Sequence, residues 1–304
     1  MITDLRTTDA GAVAFSFTSP TTPRRVVVML PQATRQGVDA VVRWPDAPQK
    51  SRVAPSSHEL IASDGVASSL QAYVPSGSAI PVVLEFHGGP EDRWLPRYDG
   101  FAQFLVSRGH ALIRPNVRGS AGQGRGFLAL DDGGRRDNVL RDIAATLDWI
   151  AAQPNLDRSR VFVMGTSYGG YLALAALHAF PDRLRGGITL GAITDLVGFL
   201  EGTAPYRRDH RRAEYGDERD PTVRARLATL SPLTWVGELQ RPLLMAYGLR
   251  DPRVPPASSE QFVRAARAAG VPVWSMVAAD EGHWFERPEN RRAFEILATQ
   301  FLGH

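Results

Sequence analysis

From about residue 66 onward, short continuous apolar runs alternate with longer stretches in which apolar residues recur every three to four positions. The runs LQAYV (70–74), PVVLEF (81–86), HALIRP (110–115), RVFVMG (160–165), GGITLG (186–191), PLLMAYG (242–248) and VPVWSMV (271–277) predict strands. The periodic stretches predict helices at about 98–108, 137–152, 168–180, 257–269 and 289–302. Strands that are apolar throughout and separated by helices imply a mostly parallel sheet covered on both faces, an α/β architecture. Ligands of such sheets sit beyond the carboxyl ends of the strands, so the loops after PVVLEF, RVFVMG and PLLMAYG are where chemistry is expected.

Residues 1–59 follow another pattern. Alternating segments such as AVAFSF and RRVVVML between Thr/Pro-rich turns predict a β-rich appendage without a helix. A linker is expected from Asp46 to Ser57, and a main domain over 60–304. No internal repeat stands out.

Composition adds limits. A chain of 304 residues, 43% hydrophobic and 22% charged, can bury a large core. Neither an 18-residue apolar run nor a signal-peptide pattern is present, which leads to the expectation of a cytoplasmic protein without a membrane partner. The absence of cysteine excludes disulfides, thiolate zinc sites and a cysteine nucleophile. Net charge is +3, and Lys50 is the single lysine among 35 basic residues. The densest basic run, Tyr206 to Arg212, precedes the acidic GDERD and reads as a self-neutralising surface segment. No basic stripe with interleaved aromatics accompanies it, so nucleic acid is not an expected partner.

GTSYGG (165–170) follows a strand and opens a helix, the setting of a nucleophile elbow. Its glycines allow a turn so tight that flanking side chains would strike the neighbouring strand and helix. Ser167 then projects at a helix N-terminus, where backbone N–H groups favour developing negative charge. A serine needs a base held by a carboxylate. His283 lies in DEGHWF after the last strand, and Asp251 lies in GLRDPRVP after PLLMAYG. The order Ser167, Asp251, His283 is that of an α/β-hydrolase, each residue in a loop after a strand. Asp280 and Glu281 are rival carboxylates better suited to shaping the loop of His283. His58, His110, His178, His210 and His304 read as surface or packing residues. For the oxyanion, the N–H of Tyr168 is one expected donor, and the glycine pair of HGGP (87–90) offers the other, Gly89 ahead of Gly88.

DGVASSLQAYVP, HGGPE, RPNVRGSAGQGRGF, GTSYGGY, SPLTW, GLRDPRVP and DEGHWF occur in this order over roughly 60–304. Together they resemble the catalytic domain of the prolyl oligopeptidase family of serine peptidases, especially its acylaminoacyl-peptidase-like and dipeptidyl-peptidase-like members. The resemblance implies Ser167 as nucleophile, Asp251 as orienting group and His283 as general base and then acid. It also implies that Arg253 faces the substrate and that Tyr168 and Phe199 line the acyl-side pocket. His87 stands where other members place an oxyanion-hole tyrosine, which implies a backbone-only hole. Members usually carry a β-propeller, for which 60 residues are too few. AVAFSFTSPTTPRRVVVML resembles a last-blade strand pair, so the appendage reads as a propeller remnant of a truncated relative or fragment. Substrates larger than the family's usual peptides, and a homo-oligomer in which a second subunit covers the unpaired strands, are hypotheses from that reading.

The expected function is therefore a serine hydrolase acting through an acyl-enzyme on a small peptide or N-blocked aminoacyl substrate. A carboxylesterase, acyltransferase or metabolite-tailoring hydrolase with the same residues is the alternative, and a non-catalytic binding protein a remote one. No metal or organic cofactor is expected, since the histidines lack ligand spacing and GSAGQGRGF fits no nucleotide motif.

Overall fold

The computed structural model describes residues 1–9, 11–30, 40–43 and 52–303. Strands β1 (Ile2–Thr7), β2 (Val13–Ser19), β3 (Thr22–Leu30) and β4 (Ala40–Arg43) pair in sequence as an antiparallel four-stranded sheet. The larger sheet has eight strands: β5 (Ser56–Ile61), β6 (Ala67–Tyr73), β7 (Ile80–Phe86), β8 (Ala111–Asn116), β9 (Leu156–Thr166), β10 (Gly186–Leu190), β11 (Leu243–Gly248) and β12 (Val273–Ala278). Their spatial order is β12-β11-β10-β9-β7-β8-β6-β5, parallel from β12 to β8, with the hairpin β5–β6 antiparallel at one edge. This is the mostly parallel α/β-hydrolase sheet expected from the apolar runs.

The helices are α1 (Gly100–Ser107), α2 (Arg125–Leu128), α3 (Val139–Ala152), α4 (Tyr168–Ala179), α5 (Leu196–Gly202), α6 (Pro205–Tyr215), α7 (Pro221–Leu230), α8 (Pro256–Ala268) and α9 (Pro288–Leu302). Two apolar cores result, one on each face of the sheet. Ile143, Leu147, Leu172 and Phe262 from α3, α4 and α8 fill one with Val82, Leu84 and Val163. Leu105, Phe294 and Phe301 from α1 and α9 fill the other with Val83, Phe162 and Leu244. Alternate residues of β7 and of the inner half of β9, Val161–Met164, thus enter opposite cores, which is why these stretches are apolar on both faces.

Two features differ from the sequence expectation. The larger sheet already begins at Ser56, within the span read as linker and appendage; residues 46–51 of that linker lie outside the described residues. The run Tyr206 to Arg212 lies in α6, where Arg212 pairs with Asp217 and Glu218 of the acidic stretch as expected of a self-neutralising segment, but Arg211 is buried rather than solvated. Pro205 opens α6 and Gly216, at φ 98°, ends it. Arg211 and Glu214 are only 9% and 7% exposed, because they turn inward and contact each other. The small sheet meets the larger unit through Gln103 Nε2, which donates to Pro20 O (3.1 Å), and Arg52 Nη1, which donates to Thr21 O (2.6 Å).

Candidate active site

The carboxyl ends of β7, β9, β10, β11 and β12 converge on one place. Ser167 sits between β9 and α4 at φ 60°, ψ −121°, a strained conformation for a residue with a Cβ. The glycines around it are sterically required. A Cβ on Gly165 would lie 2.1 Å from Gly169 O, and one on Gly169 would lie 2.2 Å from Phe86 O. Tyr168 is the first helical residue, so its N–H has no acceptor within α4.

Asp251 and His283 come together from the loops after β11 and β12, with Asp251 Oδ2 2.7 Å from His283 Nδ1 and both side chains buried. The other carboxylate oxygen of Asp251 accepts the N–H groups of Arg253 (2.8 Å) and Val254 (3.0 Å). A doubly anchored carboxylate fixes the imidazole plane. It also requires the proton on Nδ1, which leaves Nε2 as the basic nitrogen. Nε2 is buried without a hydrogen-bond partner among the described residues, and the Ser167 hydroxyl makes no hydrogen bond to it in this structure. Glu281 does not reach the imidazole. It accepts the N–H groups of Glu286 (3.1 Å) and Arg287 (3.0 Å) and caps the loop.

Sequence reasoning passed over Gly191, which follows β10 at φ 55°. A Cβ there would stand 3.4 Å from both Asp251 Oδ2 and His283 Nδ1, so the dyad rests directly on this backbone. The positive φ and the close approach signal its role, but neither is visible in a chain with 28 glycines.

The glycine pair after β7 borders the serine. A Cβ on Gly88 would be 3.5 Å from Ser167 Cβ and 3.3 Å from Thr166 O. His87 holds this loop: its Nδ1 donates to Gly88 O (2.7 Å), and its Nε2 lies 2.7 Å from Ser120 Oγ. Burial pushes the pKa of His87 down. The C=O and N–H of a trans peptide point in opposite directions, so the bond to Gly88 O turns the Gly89 N–H away from His87. Further along, Trp94 Nε1 donates to Glu85 O (3.2 Å). On the opposite side, Arg211 Nη1 of α6 reaches Gly89 O (3.5 Å) and Glu91 Oε2 (3.2 Å) and pairs with Glu214.

Beneath the elbow lies a buried polar and aromatic cluster. Tyr168 OH donates to Asp131 Oδ2 (2.9 Å), Arg136 Nη1 reaches the same oxygen (3.2 Å), and Tyr215 meets Tyr168 edge-on at 6.2 Å. Burial pushes the tyrosine hydroxyl of Tyr168 well above its ordinary pKa, so it remains a donor. Phe199 is 4% exposed and packs on Tyr215 at 5.3 Å, a core position rather than an open pocket wall. Arg253 is half-buried with its guanidinium 5.7 Å from the Trp284 ring, next to His283. Among the described residues no group of His, Asp and Glu could hold a metal ion.

A mostly parallel sheet with a strained serine at a strand-to-helix turn, and a carboxylate-held histidine on later loops, defines the α/β-hydrolase class. Within that class the chain belongs to the prolyl oligopeptidase family, whose model matches residues 96–304. It is 35% identical over 227 residues to dipeptidyl aminopeptidase BIII of Pseudoxanthomonas mexicana, covering 74% of this chain and 33% of that protein. It is 25% identical over 210 residues to the acylamino-acid-releasing enzyme of Homo sapiens, covering 66% of this chain and 28% of that one. Among solved structures, puromycin hydrolase superposes with a TM-score of 0.86 at 26% identity, over 98% of this chain and 46% of its own. The chain thus spans about a third of the curated relatives and about half of that structure. Among the described residues no helix is long and apolar enough to cross a membrane.

Proposed function

We propose that the unit built on the eight-stranded sheet, from Ser56 onward, is the catalytic unit of a serine peptidase that cleaves short peptides or N-blocked aminoacyl substrates through an acyl-enzyme. His283 Nε2 takes the proton of Ser167 as its Oγ attacks the scissile carbonyl, and then delivers that proton to the departing amine. Asp251 keeps His283 in the required tautomer and stabilises the imidazolium. The oxyanion is received by the N–H groups of Tyr168 and Gly89, with Gly88 giving the backbone room to approach. Water, deprotonated by the same nitrogen, attacks the acyl carbon, and the proton returns to Ser167. Arg253 faces the bound substrate. Phe199 acts behind Tyr215 as support of the acyl pocket.

The observation that carries this reading is the 2.7 Å contact between Asp251 Oδ2 and His283 Nδ1, with Nε2 buried and unpartnered beside the elbow. The names of the relatives support amide substrates over esters. The four-stranded meander β1–β4 has the strand number of one propeller blade, which supports reading it as a blade.

The test is kcat/KM on p-nitroanilides and p-nitrophenyl esters of matched acyl groups, with Ser167→Ala as blank. Amide cleavage well above the blank is expected. Ester cleavage with amide turnover at the blank's level would replace the peptidase reading by esterase or acyl-transfer work.

A further inference from the structure

Beneath the nucleophile elbow the chain buries a carboxylate and a guanidinium that the chemistry above does not use. Asp131 and Arg136 lie in short 3-10 turns, Ala129–Asp131 and Gly133–Asn138, and both are buried. Asp131 Oδ2 accepts Tyr168 OH (2.9 Å) and Arg136 Nη1 (3.2 Å), while Oδ1 has no hydrogen-bond partner among the described residues. Among those residues, the side-chain donors to this carboxylate are therefore Tyr168 and the cation that holds it. Arg136 is fixed in turn: its Nη2 donates to Glu214 O (3.1 Å), and its guanidinium lies 3.9 Å from the centre of the Tyr215 ring and 5.1 Å from that of Tyr168. Gly119, at φ 88°, leaves the room for Asp131, because a Cβ there would collide with the carboxylate. That glycine belongs to RGSAGQGRGF, which thereby gains a place beside the elbow.

Stability alone does not call for this pair, since replacing a buried ion pair by apolar groups of similar volume is often neutral or stabilising. The peptide between Ser167 and Tyr168, whose N–H is the expected oxyanion donor, does call for it. Ser167 holds φ 60° and ψ −121°, and such strain persists only where the surroundings over-determine it. On the serine side of that peptide, Ser167 N–H donates to Leu190 O (2.9 Å) and Tyr171 N–H donates to Ser167 O (3.1 Å). On the other side, turning the peptide moves the Tyr168 Cα and the ring it carries. That ring is held at its far end by Asp131 and on one face by Tyr171, stacked at 5.6 Å.

We propose that Asp131, clamped by Arg136, is a positioning residue: through the hydroxyl of Tyr168 it holds the first turn of α4 and keeps the Tyr168 N–H aimed at the oxyanion. This role rests on the acyl-enzyme reading above and applies equally to an amide or an ester substrate.

The test takes rates on whichever of the matched p-nitroanilides and p-nitrophenyl esters the wild type cuts, with active sites counted by the end point of fluorophosphonate titration. Tyr168→Phe removes only the hydroxyl and is expected to lower kcat per active site about tenfold with KM little changed, the size of one hydrogen bond to a charged group. A peptidyl aldehyde with the same acyl group, whose hemiacetal oxygen needs the same N–H donors, is expected to bind this variant more weakly by a similar factor. Asp131→Asn keeps an acceptor and should retain most of the rate, whereas Asp131→Leu should match Tyr168→Phe. Added to Tyr168→Phe, Asp131→Leu is expected to cost nothing further per active site, because the bond it would break is already gone. A purely structural Asp131 would instead lower the yield of titratable enzyme and leave kcat per site and aldehyde affinity where they were. If Asp131→Leu does not fold, Tyr168→Phe and the aldehyde decide alone. A kcat per site for Tyr168→Phe within about twofold of wild type, or a further loss when Asp131→Leu is added to it, overturns the anchor and leaves the acyl-enzyme reading intact. If the wild type cuts neither substrate and Ser167 resists a fluorophosphonate, the acyl-enzyme reading falls and the anchor falls with it.

Discussion

Replacing His87 by alanine tests whether the oxyanion donor is placed by a side chain that never meets the substrate. His87 is buried, and its Nδ1 carries a proton because its partner, Gly88 O at 2.7 Å, can only accept. Its Nε2 lies 2.7 Å from Ser120 Oγ and competes with Val117 O, at 2.6 Å, for the one hydroxyl proton of Ser120. The imidazole is held firmly through Nδ1, and the Gly88–Gly89 peptide is fixed by it. Alanine removes the bond to Gly88 O and leaves a void into which the loop can turn. The Gly89 N–H then loses its aim although Ser167, Asp251 and His283 are untouched. Loss of one oxyanion donor costs about 10²–10³ in kcat, so kcat should fall by that factor with KM little changed. Asparagine can place an amide N–H where Nδ1 stood, so His87→Asn is expected to recover most of the rate. The assay is steady-state kinetics on a neutral p-nitroanilide, with fluorophosphonate labelling of Ser167 as a second readout, because the phosphonyl oxygen needs the same donors. A kcat for His87→Ala within about threefold of wild type, or His87→Asn no better than His87→Ala, would refute the reasoning; an unaffected donor loses none of the factor above.

Other changes probe the surroundings of the same loop. Arg211→Met removes the contacts to Gly89 O and Glu91 from the other side and is expected to lower kcat by about tenfold, the equivalent of one modest hydrogen bond, with partial rescue by Arg211→Lys. Burial and the nearby Glu91 push Glu214 up to about 8, so the folded state holds its proton over a range where the unfolded chain releases it. Its contribution is complete below the ordinary glutamate pKa of about 4.5 and is lost as pH rises through 8; Glu214→Gln should flatten that part of a chemical-denaturation pH profile. Arg118 joins buried Asp142, through Nη2 at 2.8 Å, to Asp64 at 2.9 Å. Asp142→Ala leaves that guanidinium undercompensated and should cost about 3–5 kcal/mol in denaturant unfolding, whereas an effect below about 1 kcal/mol would contradict a buried pair.

The sequence by itself determined the sheet, the order of chemistry-bearing loops and the residues that meet in them. Strands buried on both faces must be apolar throughout, and helices lying on such a sheet must be apolar on one side, so β7 to β12 and their covering helices are written in local patterns. The elbow is partly local: Gly165 admits no Cβ because of Gly169 O within the same turn, whereas Gly169 is barred by Phe86 O of the neighbouring strand β7, and the glycine spacing is the trace of both limits. Other parts depended on distant neighbours. The segment 205–215 is polar on every side, and only the loop at Gly89 and the cluster around Tyr168 decide which of its charges turn inward. Gly191 touches the Asp251–His283 pair because β10 lies between β9 and β11, a fact of strand order rather than spacing. Whether an arginine is paired is likewise a three-dimensional question. Coulomb interactions act through space and fall steeply with distance, so composition counts 35 basic residues but cannot say that Arg118 is held between Asp64 and Asp142.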